Sequence, residues 1–146
     1  MAWLGSKKLK LVNIYDIFCC SVVLITGGVH LKSTEIFNSD TNTSCSFPQL
    51  QEKRYYHSQD GGLVCGGSSS DSWRSCVKWS PDSGTWTNSH TLRQQRLGHV
   101  SWAMASGVYL IGGSRSPRTS EKMKLDGSVE EGFSLFYDTR LHSAFH

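Results

Sequence analysis

The sequence predicts an all-β fold in which one unit of strands and turns is repeated along the chain. Three observations carry this prediction: apolar runs that end in a pair of glycines, turn residues between short strand-like stretches, and a second series of Arg and His residues with a similar period. The chain has 146 residues, with 38% hydrophobic and 18% charged residues. That length and composition are typical of one globular domain rather than of a disordered segment.

Double glycines end three apolar runs. The second glycines of these pairs are Gly28, Gly67 and Gly113, which are 39 and 46 residues apart. An Arg with a His close behind follows each pair, and these arginines are 42 and 44 residues apart. Two marker series with one period indicate an internal repeat of the length found in solenoids and propellers. The repeat marks are Gly27, Gly28, Gly66, Gly67, Gly112, Gly113, Trp79, Trp86, Arg54, His57, Arg96, His99, Arg140 and His142.

Each unit carries signals for four short antiparallel strands in meander order. In the third unit, the turn pair Ser106-Gly107 separates two apolar stretches, which is the pattern of a two-residue hairpin. A polar loop after the glycines leads to a third strand, and a further turn leads to a fourth. The fourth strand carries Trp86 in the second unit, with Cys45 and Phe133 near the equivalent place in the other two.

The glycine-terminated runs 22–26 and 108–111 are apolar at consecutive positions. A half-exposed strand alternates between apolar and polar residues, so we expect both faces of these strands to be buried between neighbouring sheets. The glycines then lie where the strand leaves the packed region, where they permit positive φ and close approach of two backbones. No G-x-G-x-x-G or G-x-x-x-x-G-K pattern occurs, so we do not interpret the glycines as a nucleotide site.

The order of apolar strand, Gly-Gly, polar loop, strand, turn, Trp and Arg-x-x-His resembles the kelch repeat, whose units form the blades of a β-propeller. The middle unit is the most similar, whereas the first carries Cys45 and the third Phe133 in place of a Trp. The resemblance implies kelch-like blades, each a four-stranded antiparallel meander. About three units cannot close a ring, so it implies an incomplete propeller, most simply a fragment of a larger one.

The predicted organisation has two parts. Residues 1–21 are interpreted as a leader or a poorly ordered N-terminal segment, because three lysines precede an apolar stretch that is too short to span a membrane. Residues 22–146 hold the kelch-like repeats. These divide at about 22–53, 54–95 and 96–139, followed by the start of another blade at 140–146.

The loops after the glycine pairs hold the candidate protein-binding residues Trp73, Arg74, Arg115 and Arg118. Trp and Arg dominate the energetics of protein interfaces, and repeat proteins present variable residues in loops. The alternative is that Trp73 packs back onto its own blade and the arginines are solvated.

The repeated Arg and His residues are interpreted as structural, orienting the start of the innermost strand by hydrogen bonds, because chemistry is rarely repeated in every unit. No G-x-S-x-G and no identifiable set of metal ligands occurs in the sequence. We therefore predict no enzyme activity, no cofactor and no metal site.

Cys65 and Cys76 are predicted to face each other across a hairpin, within reach of a disulfide that would stabilise the fold by about 3 kcal/mol. The alternative is two buried free thiols. Asn42 begins an Asn-Thr-Ser glycosylation triplet. Together these features favour an extracellular location, with a cytoplasmic one as the alternative.

These observations predict a secreted or extracellular protein-binding module that presents loops from kelch-like blades. The alternatives are an intracellular kelch fragment that recognises substrates for an adaptor, a fragment of a propeller enzyme resembling copper oxidases, and a truncated product without independent function. A net charge of +3, without an organised basic and aromatic surface, argues against nucleic acid as a partner. We expect a protein partner, no membrane span, and open blade faces available for self-association.

Overall fold

The computed structural model describes residues 21–67, 73–124 and 126–138. These residues form eleven β-strands in three antiparallel sheets. No helix occurs in this part of the chain, so none of its described elements is a helix that could cross a membrane. The all-β prediction is confirmed.

Part of the predicted organisation lies outside the described residues. Of the predicted N-terminal segment 1–21, only Ser21 is described. The predicted start of a further blade at 140–146 falls outside, and with it Arg140 and His142. The structure therefore describes all three glycine pairs and the first two Arg-His pairs of the repeat.

Each sheet is a meander in which strands that follow each other in sequence are hydrogen-bonded neighbours. Sheet 1 comprises β1 (Val22–Thr26), β2 (Thr34–Asn38) and β3 (Thr43–Phe47). Sheet 2 comprises β4 (Ser58–Asp60), β5 (Leu63–Cys65), β6 (Ser75–Ser80) and β7 (Thr85–Thr91). Sheet 3 comprises β8 (Val100–Met104), β9 (Gly107–Ile111), β10 (Thr119–Met123) and β11 (Val129–Ser134).

Sheets 2 and 3 have the four strands that were predicted for each unit, whereas sheet 1 has three within the described residues. Glycine pairs follow β1, β5 and β9. In sheets 2 and 3 a further strand, β4 or β8, lies beside the strand that ends in glycine. Sheet 1 shows no such strand in the described part of the chain, where β1 is its first strand. Within the described residues, no sheet closes on itself.

Two apolar clusters join the sheets. The first lies between sheets 1 and 2 and comprises Leu24, Leu50, Val64, Val77, Trp79 and Trp86, with Ile36 and Phe47 packed against it. The second lies between sheets 2 and 3 and comprises Cys65, Cys76, Leu92, Leu110 and Met123, with Leu63, Val108 and Val129 packed against it. Sheet 2 thus contributes to both clusters and has a neighbour on each face.

The expectation that both faces of the glycine-terminated strands are buried is wrong for β1. Leu24 and Thr26 face sheet 2 and are buried, whereas Val23 and Ile25 are 53% and 52% exposed. In β9, Leu110 is buried and Tyr109 is only half-buried. The reason is position in the stack, because within the described residues sheets 1 and 3 have a neighbouring sheet on one face only.

The residues at the predicted Trp position differ in environment. Trp86 in β7 is buried, and its indole Nε1 donates to the carbonyl oxygen of Pro48 at 2.7 Å. Cys45 in β3 and Phe133 in β11 lie in the last strands of their own sheets, as Trp86 does in sheet 2, but both are exposed. Only the central sheet therefore uses this position to fill the core.

Candidate functional site

The ends of the glycine-terminated strands define a region that we call the glycine edge: the three glycine pairs and, after them, the described residues 29–33, 73–74 and 114–118. Neighbouring sheets touch here through their backbones. The amide of Gly28 donates to the carbonyl oxygen of Arg54 at 2.9 Å, and that of Gly67 to Arg96 at 3.0 Å. A Cβ on Gly27 would lie 2.4 Å from the Arg54 carbonyl oxygen, and Gly27 has a φ of +67°. Glycine is therefore required at this contact.

The two arginines place their side chains in equivalent pockets, which we call arginine sockets. Nη1 of Arg54 donates to the carbonyl oxygens of Gly66 and Ser75 in sheet 2, at 2.9 Å each. Arg96 repeats the arrangement in sheet 3, and both arginines are fully buried. Its acceptors are the carbonyl oxygens of Gly112, at 2.8 Å, and Thr119, at 3.0 Å.

A buried carboxylate completes the socket of Arg96. Nε of Arg96 donates to Oε1 of Glu121 at 2.9 Å, and the Glu121 side chain is 2% exposed. Glu121 also accepts hydrogen bonds from the backbone amides of Arg93 and Gln94. A buried ion pair whose remaining lone pairs are satisfied in this way compensates much of the cost of taking the charges out of water.

The socket of Arg54 is built differently. Val77, two residues after the acceptor carbonyl, stands where sheet 3 has Glu121. Arg54 instead has an ion-pair contact with Oε2 of Glu52 at 3.6 Å; the Glu52 side chain as a whole is 43% exposed, but this oxygen is buried. Burial lowers the pKa of both guanidinium groups, and the neighbouring carboxylates oppose that shift. Both side chains remain charged at neutral pH, because arginine does not deprotonate in proteins.

The two described histidines of the repeat, His57 and His99, each lie within hydrogen-bond distance of a side-chain hydroxyl group. Nε2 of His57 lies 2.9 Å from Oγ1 of Thr26, and Nε2 of His99 lies 2.7 Å from Oγ of Ser58. Burial, followed by the charge of the adjacent arginine, lowers the pKa of His57 and lowers that of His99 to about 3. Ser58 and His99 are both 7% exposed, so this Ser-His pair offers no access for a substrate.

Two of the four candidate binding residues come together at the glycine edge. The guanidinium carbon of Arg115 lies 4.3 Å from the centroid of a Trp73 ring, a cation–π distance. Trp73 belongs to the loop that precedes β6 and Arg115 to the loop that precedes β10, so the contact links sheets 2 and 3. Trp73 is half-buried and Arg115 is exposed.

The other two candidates, Arg74 and Arg118, are not part of that contact. Nε of Arg74 donates to the carbonyl oxygen of Leu92 at 2.7 Å, and Nε of Arg118 to that of Leu135 at 3.4 Å. In sheet 1, Lys32 donates to a backbone carbonyl in the same way. In each sheet, a cationic side chain in the loop after the glycine pair therefore donates to a backbone carbonyl that lies just beyond the last strand. The sequence analysis missed this role, although the shared position of the three cations was a visible signal.

The predicted disulfide is present. Cys65 in β5 and Cys76 in β6 are directly opposite each other in the strand register, and a bond joins their sulfurs. Both residues are buried, and each sulfur lies 3.8 Å from Sδ of Met123 in sheet 3. The bond therefore belongs to the interface between sheets 2 and 3 as well as to its own hairpin.

Asn42 lies at the turn between β2 and β3, with a φ of +52° and an exposed side chain. The glycosylation triplet is therefore accessible to an enzyme. Cys45, on the adjacent strand, is an exposed free cysteine.

Residues 21–67, 73–124 and 126–138 contain no group of three His, Cys, Asp or Glu side chains placed to hold a metal ion. A polar cleft of about 210 Å³ lies beside β7. It is lined by Glu52, Ser75, Cys76 and residues 88–91. None of the four candidate binding residues Trp73, Arg74, Arg115 and Arg118 lines this cleft.

No protein-family model matches the chain, and a comparison with curated proteins finds no match. Among solved structures, the chain is similar to the structure of YjhT, with a TM-score of 0.70 and 11% sequence identity. The similarity covers 82% of this chain and 49% of that chain, so the present chain spans about half the length of YjhT. At this level of identity the likeness concerns the fold alone.

Proposed function

We propose that the three sheets are kelch-like blades of an incomplete β-propeller and that the chain is a protein-binding module presenting the loops of the glycine edge. The blade assignment is supported by the meander order within each sheet and by the glycine and arginine contacts that recur between consecutive sheets. The similarity to YjhT supports a shared fold.

The pair formed by Trp73 and Arg115 is the observation that carries the binding proposal. It combines the two residue types that contribute most to protein interfaces, and it sits on loops held by a rigid sheet scaffold. Because Arg115 is exposed while Trp73 is held half-buried beneath it, a partner can contact both without unfolding a strand. Arg74 and Arg118 support the loops through their backbone hydrogen bonds.

We assign the module to the extracellular space. The buried bond between Cys65 and Cys76 would be stable in an oxidising compartment, and the Asn42 triplet is exposed on a turn. A glycan at that turn would lie on sheet 1, whereas the pair formed by Trp73 and Arg115 joins sheets 2 and 3. Glycosylation and partner binding are therefore compatible. We assign no catalytic residue and no cofactor to this function.

The experiment is a binding screen of the chain, purified from a eukaryotic secretory host and displayed multivalently, against an array of secreted proteins and receptor ectodomains. Arg115→Glu should abolish binding to any specific partner, and Trp73→Ala should weaken it about tenfold or more. Lys124→Glu is the matched control, because it makes the same charge change at the other end of β10.

A partner that is lost with Arg115→Glu and retained with Lys124→Glu supports the proposal. A partner bound equally by all three variants would place the interface elsewhere and contradict it. Thermal unfolding of each variant shows whether a loss of binding is a loss of fold, and Arg115→Glu, at an exposed position, keeps the test valid if Trp73→Ala is destabilised.

A further inference from the structure

The polar cleft beside β7 is a second concave surface of sheet 2 that the proposed binding surface does not use. Its lining comes from β6, from β7 and from the segment between β3 and β4. Apart from the disulfide-bonded Cys76, every lining residue carries a polar side chain: Glu52, Ser75 and residues 88–91. The cleft therefore lacks the largely apolar lining of pockets that bind drug-like molecules.

A β-bulge brings four consecutive residues of β7 to this cleft. The register between β6 and β7 shifts at Cys76, so that this one residue stands opposite two residues of β7, Ser89 and His90. Side chains of a regular strand alternate between its two faces, whereas a bulge re-aims a side chain. As a result, residues 88–91 all contribute to the lining of one cleft.

The carboxylate of Glu52 is held in place by one of its oxygens. Oε2 is buried and lies 3.6 Å from Nη2 of the fully buried Arg54, which itself donates to Oγ of Ser75 at 2.7 Å. The Glu52 side chain as a whole is 43% exposed, so its exposure falls on the other atoms. Oε1 accepts no hydrogen bond from the described residues. Glu52 thus offers a fixed, unoccupied acceptor to a ligand in the cleft.

The charges around the cleft are balanced at pH 7. Glu52 is the only carboxylate among the described lining residues, and the guanidinium group of Arg54 lies behind it. Burial, followed by the charge of Lys78, lowers the pKa of His90 below its ordinary value, so the imidazole is neutral at this pH. An anionic ligand would be repelled by Glu52 and a cationic ligand by Arg54. The charges therefore favour a neutral ligand.

The remaining lining consists mainly of hydroxyl and amide groups. Asn88, Ser89 and Thr91 are exposed, and each carries a side chain that can both donate and accept hydrogen bonds. A volume of about 210 Å³ has room for about seven water molecules at roughly 30 Å³ each. A ligand replaces such waters without loss only if its own polar groups repeat their hydrogen bonds. Several hydroxyl groups on one small molecule meet that condition.

We propose that this cleft binds a small, neutral, hydroxyl-rich molecule of the size of one sugar unit. Oε1 of Glu52 accepts a hydrogen bond from one ligand hydroxyl, and the side chains of Asn88, Ser89 and Thr91 bind the neighbouring hydroxyls. The ligand is bound without chemical change. None of these residues belongs to the pair formed by Trp73 and Arg115, so the inference does not rest on partner binding there.

Titration of the isotope-labelled full chain with D-glucose, D-galactose, D-mannose and myo-inositol, followed by amide chemical shifts, tests the cleft. We expect at least one of these probes to bind with a dissociation constant of about 1 mM and to shift the amides of residues 88–91. Glu52→Gln and Asn88→Ala should each weaken this binding about tenfold, because each removes a polar contact with the ligand.

Two variants are the controls and should bind the same probe as the wild type does. Glu35→Gln makes the same chemical change as Glu52→Gln at an exposed glutamate of sheet 1. Arg115→Glu disrupts the proposed partner surface, so normal probe binding by this variant separates the cleft from that surface. Because Asn88 is exposed, Asn88→Ala keeps the test valid if Glu52→Gln disturbs the socket of Arg54 and fails to fold.

The absence of a saturable shift with all four probes up to roughly 50 mM would overturn the proposal. So would binding that is unchanged in both Glu52→Gln and Asn88→Ala, or tighter binding of D-glucuronate than of D-glucose, since Glu52 should repel the added carboxylate. If a sugar binds, its methyl glycoside identifies the source of the ligand. Retained affinity supports a sugar unit at the end of a glycan, and lost affinity supports the free sugar.

Discussion

The two interfaces between sheets share a backbone frame and differ in what fills it. Between sheets 1 and 2, Phe47 lies 4.3 Å from Trp79 by ring centroids, and Trp79 lies 5.7 Å from Trp86. Between sheets 2 and 3, the core instead holds aliphatic side chains, a disulfide and the buried ion pair of Arg96 and Glu121. In both, a glycine amide donates to the carbonyl oxygen of an arginine.

This difference shows which features of the repeat are obligatory. The glycine and the arginine recur because each occupies a site defined by backbone atoms, where few side chains fit. The histidine recurs beside a side-chain hydroxyl group, of Thr26 for His57 and of Ser58 for His99. The side chains that pack between the sheets can vary, provided that they fill the available volume and that buried charges are paired. The arginine sockets differ in this respect, since Arg96 pairs with a Glu121 side chain that is 2% exposed and Arg54 with a Glu52 side chain that is 43% exposed.

The largest expected effect concerns those carboxylates. Glu121→Ala should lower the free energy of unfolding by about 3–5 kcal/mol, because it leaves Arg96 buried without its counter-charge. Glu52→Ala should cost less, about 1 kcal/mol, because its contact with Arg54 is longer, at 3.6 Å, and the Glu52 side chain as a whole is 43% exposed. Urea unfolding of both variants measures the difference. Equal losses would show that the two sockets are electrostatically alike.

The disulfide is expected to stabilise the second interface by about 3 kcal/mol, through the loop that it closes and the contact of its sulfurs with Met123. Replacing Cys65 and Cys76 together by Ala should therefore lower the urea midpoint well below that of the wild type. Cys45→Ala is the matched control and should have little effect, since Cys45 is exposed and unbonded. A double variant as stable as the control would contradict the assignment.

The buried histidine at the second interface predicts a pH dependence. The pKa of His99 is about 3 in the folded protein and near 6.5 in the unfolded chain, so the unfolded state binds the additional proton between these values. The contribution of His99 to stability is thus complete above pH 6.5 and is lost as the pH falls toward 3. From pH 6 to pH 4 the loss is roughly 2.5 kcal/mol.

Urea unfolding at pH 6, 5 and 4 of the wild type and of His99→Gln checks this expectation. The variant should show a shallower decline, with the remainder arising from His57, whose pKa is lowered by the same causes. Parallel declines in the two proteins would show that His99 is not the group responsible.

The smallest effect is expected at the cations that precede the third strands. Arg74→Ala should cost about 1 kcal/mol through loss of the hydrogen bond to the Leu92 carbonyl. Lys32→Ala, the counterpart in sheet 1, should cost still less because its bond is exposed. Thermal unfolding measures the loss of stability in the two variants. A larger loss for Lys32→Ala than for Arg74→Ala would contradict the expectation.

The parts of the fold that could be predicted from the sequence are those governed by local backbone geometry. The glycine pairs mark the ends of β1, β5 and β9 because the close approach to a carbonyl oxygen excludes a side chain. The pairing of Cys65 and Cys76 followed from their offsets in two consecutive strands.

Other features depend on contacts between distant parts of the chain. Whether Val23 and Ile25 are covered depends on how many sheets are stacked, which no local pattern contains. The ion pair of Glu121 with Arg96 joins residues 25 apart. The role of Glu121 becomes apparent only when β10 is aligned with β6, which carries Val77 at the equivalent position. Arg74 and Arg118 had the composition of a binding surface, but their distances to backbone carbonyls show a supporting role.

Amide hydrogen exchange at Gly28 and Gly67 is the most direct test of the shared frame that joins the sheets. Both amides donate across a sheet boundary to an arginine carbonyl, at 2.9 and 3.0 Å. We expect them to exchange as slowly as amides in the centre of β6 and to open together with the global unfolding of the chain. Fast exchange at both, with the strand amides still protected, would show that the sheets fold but are not joined in this way.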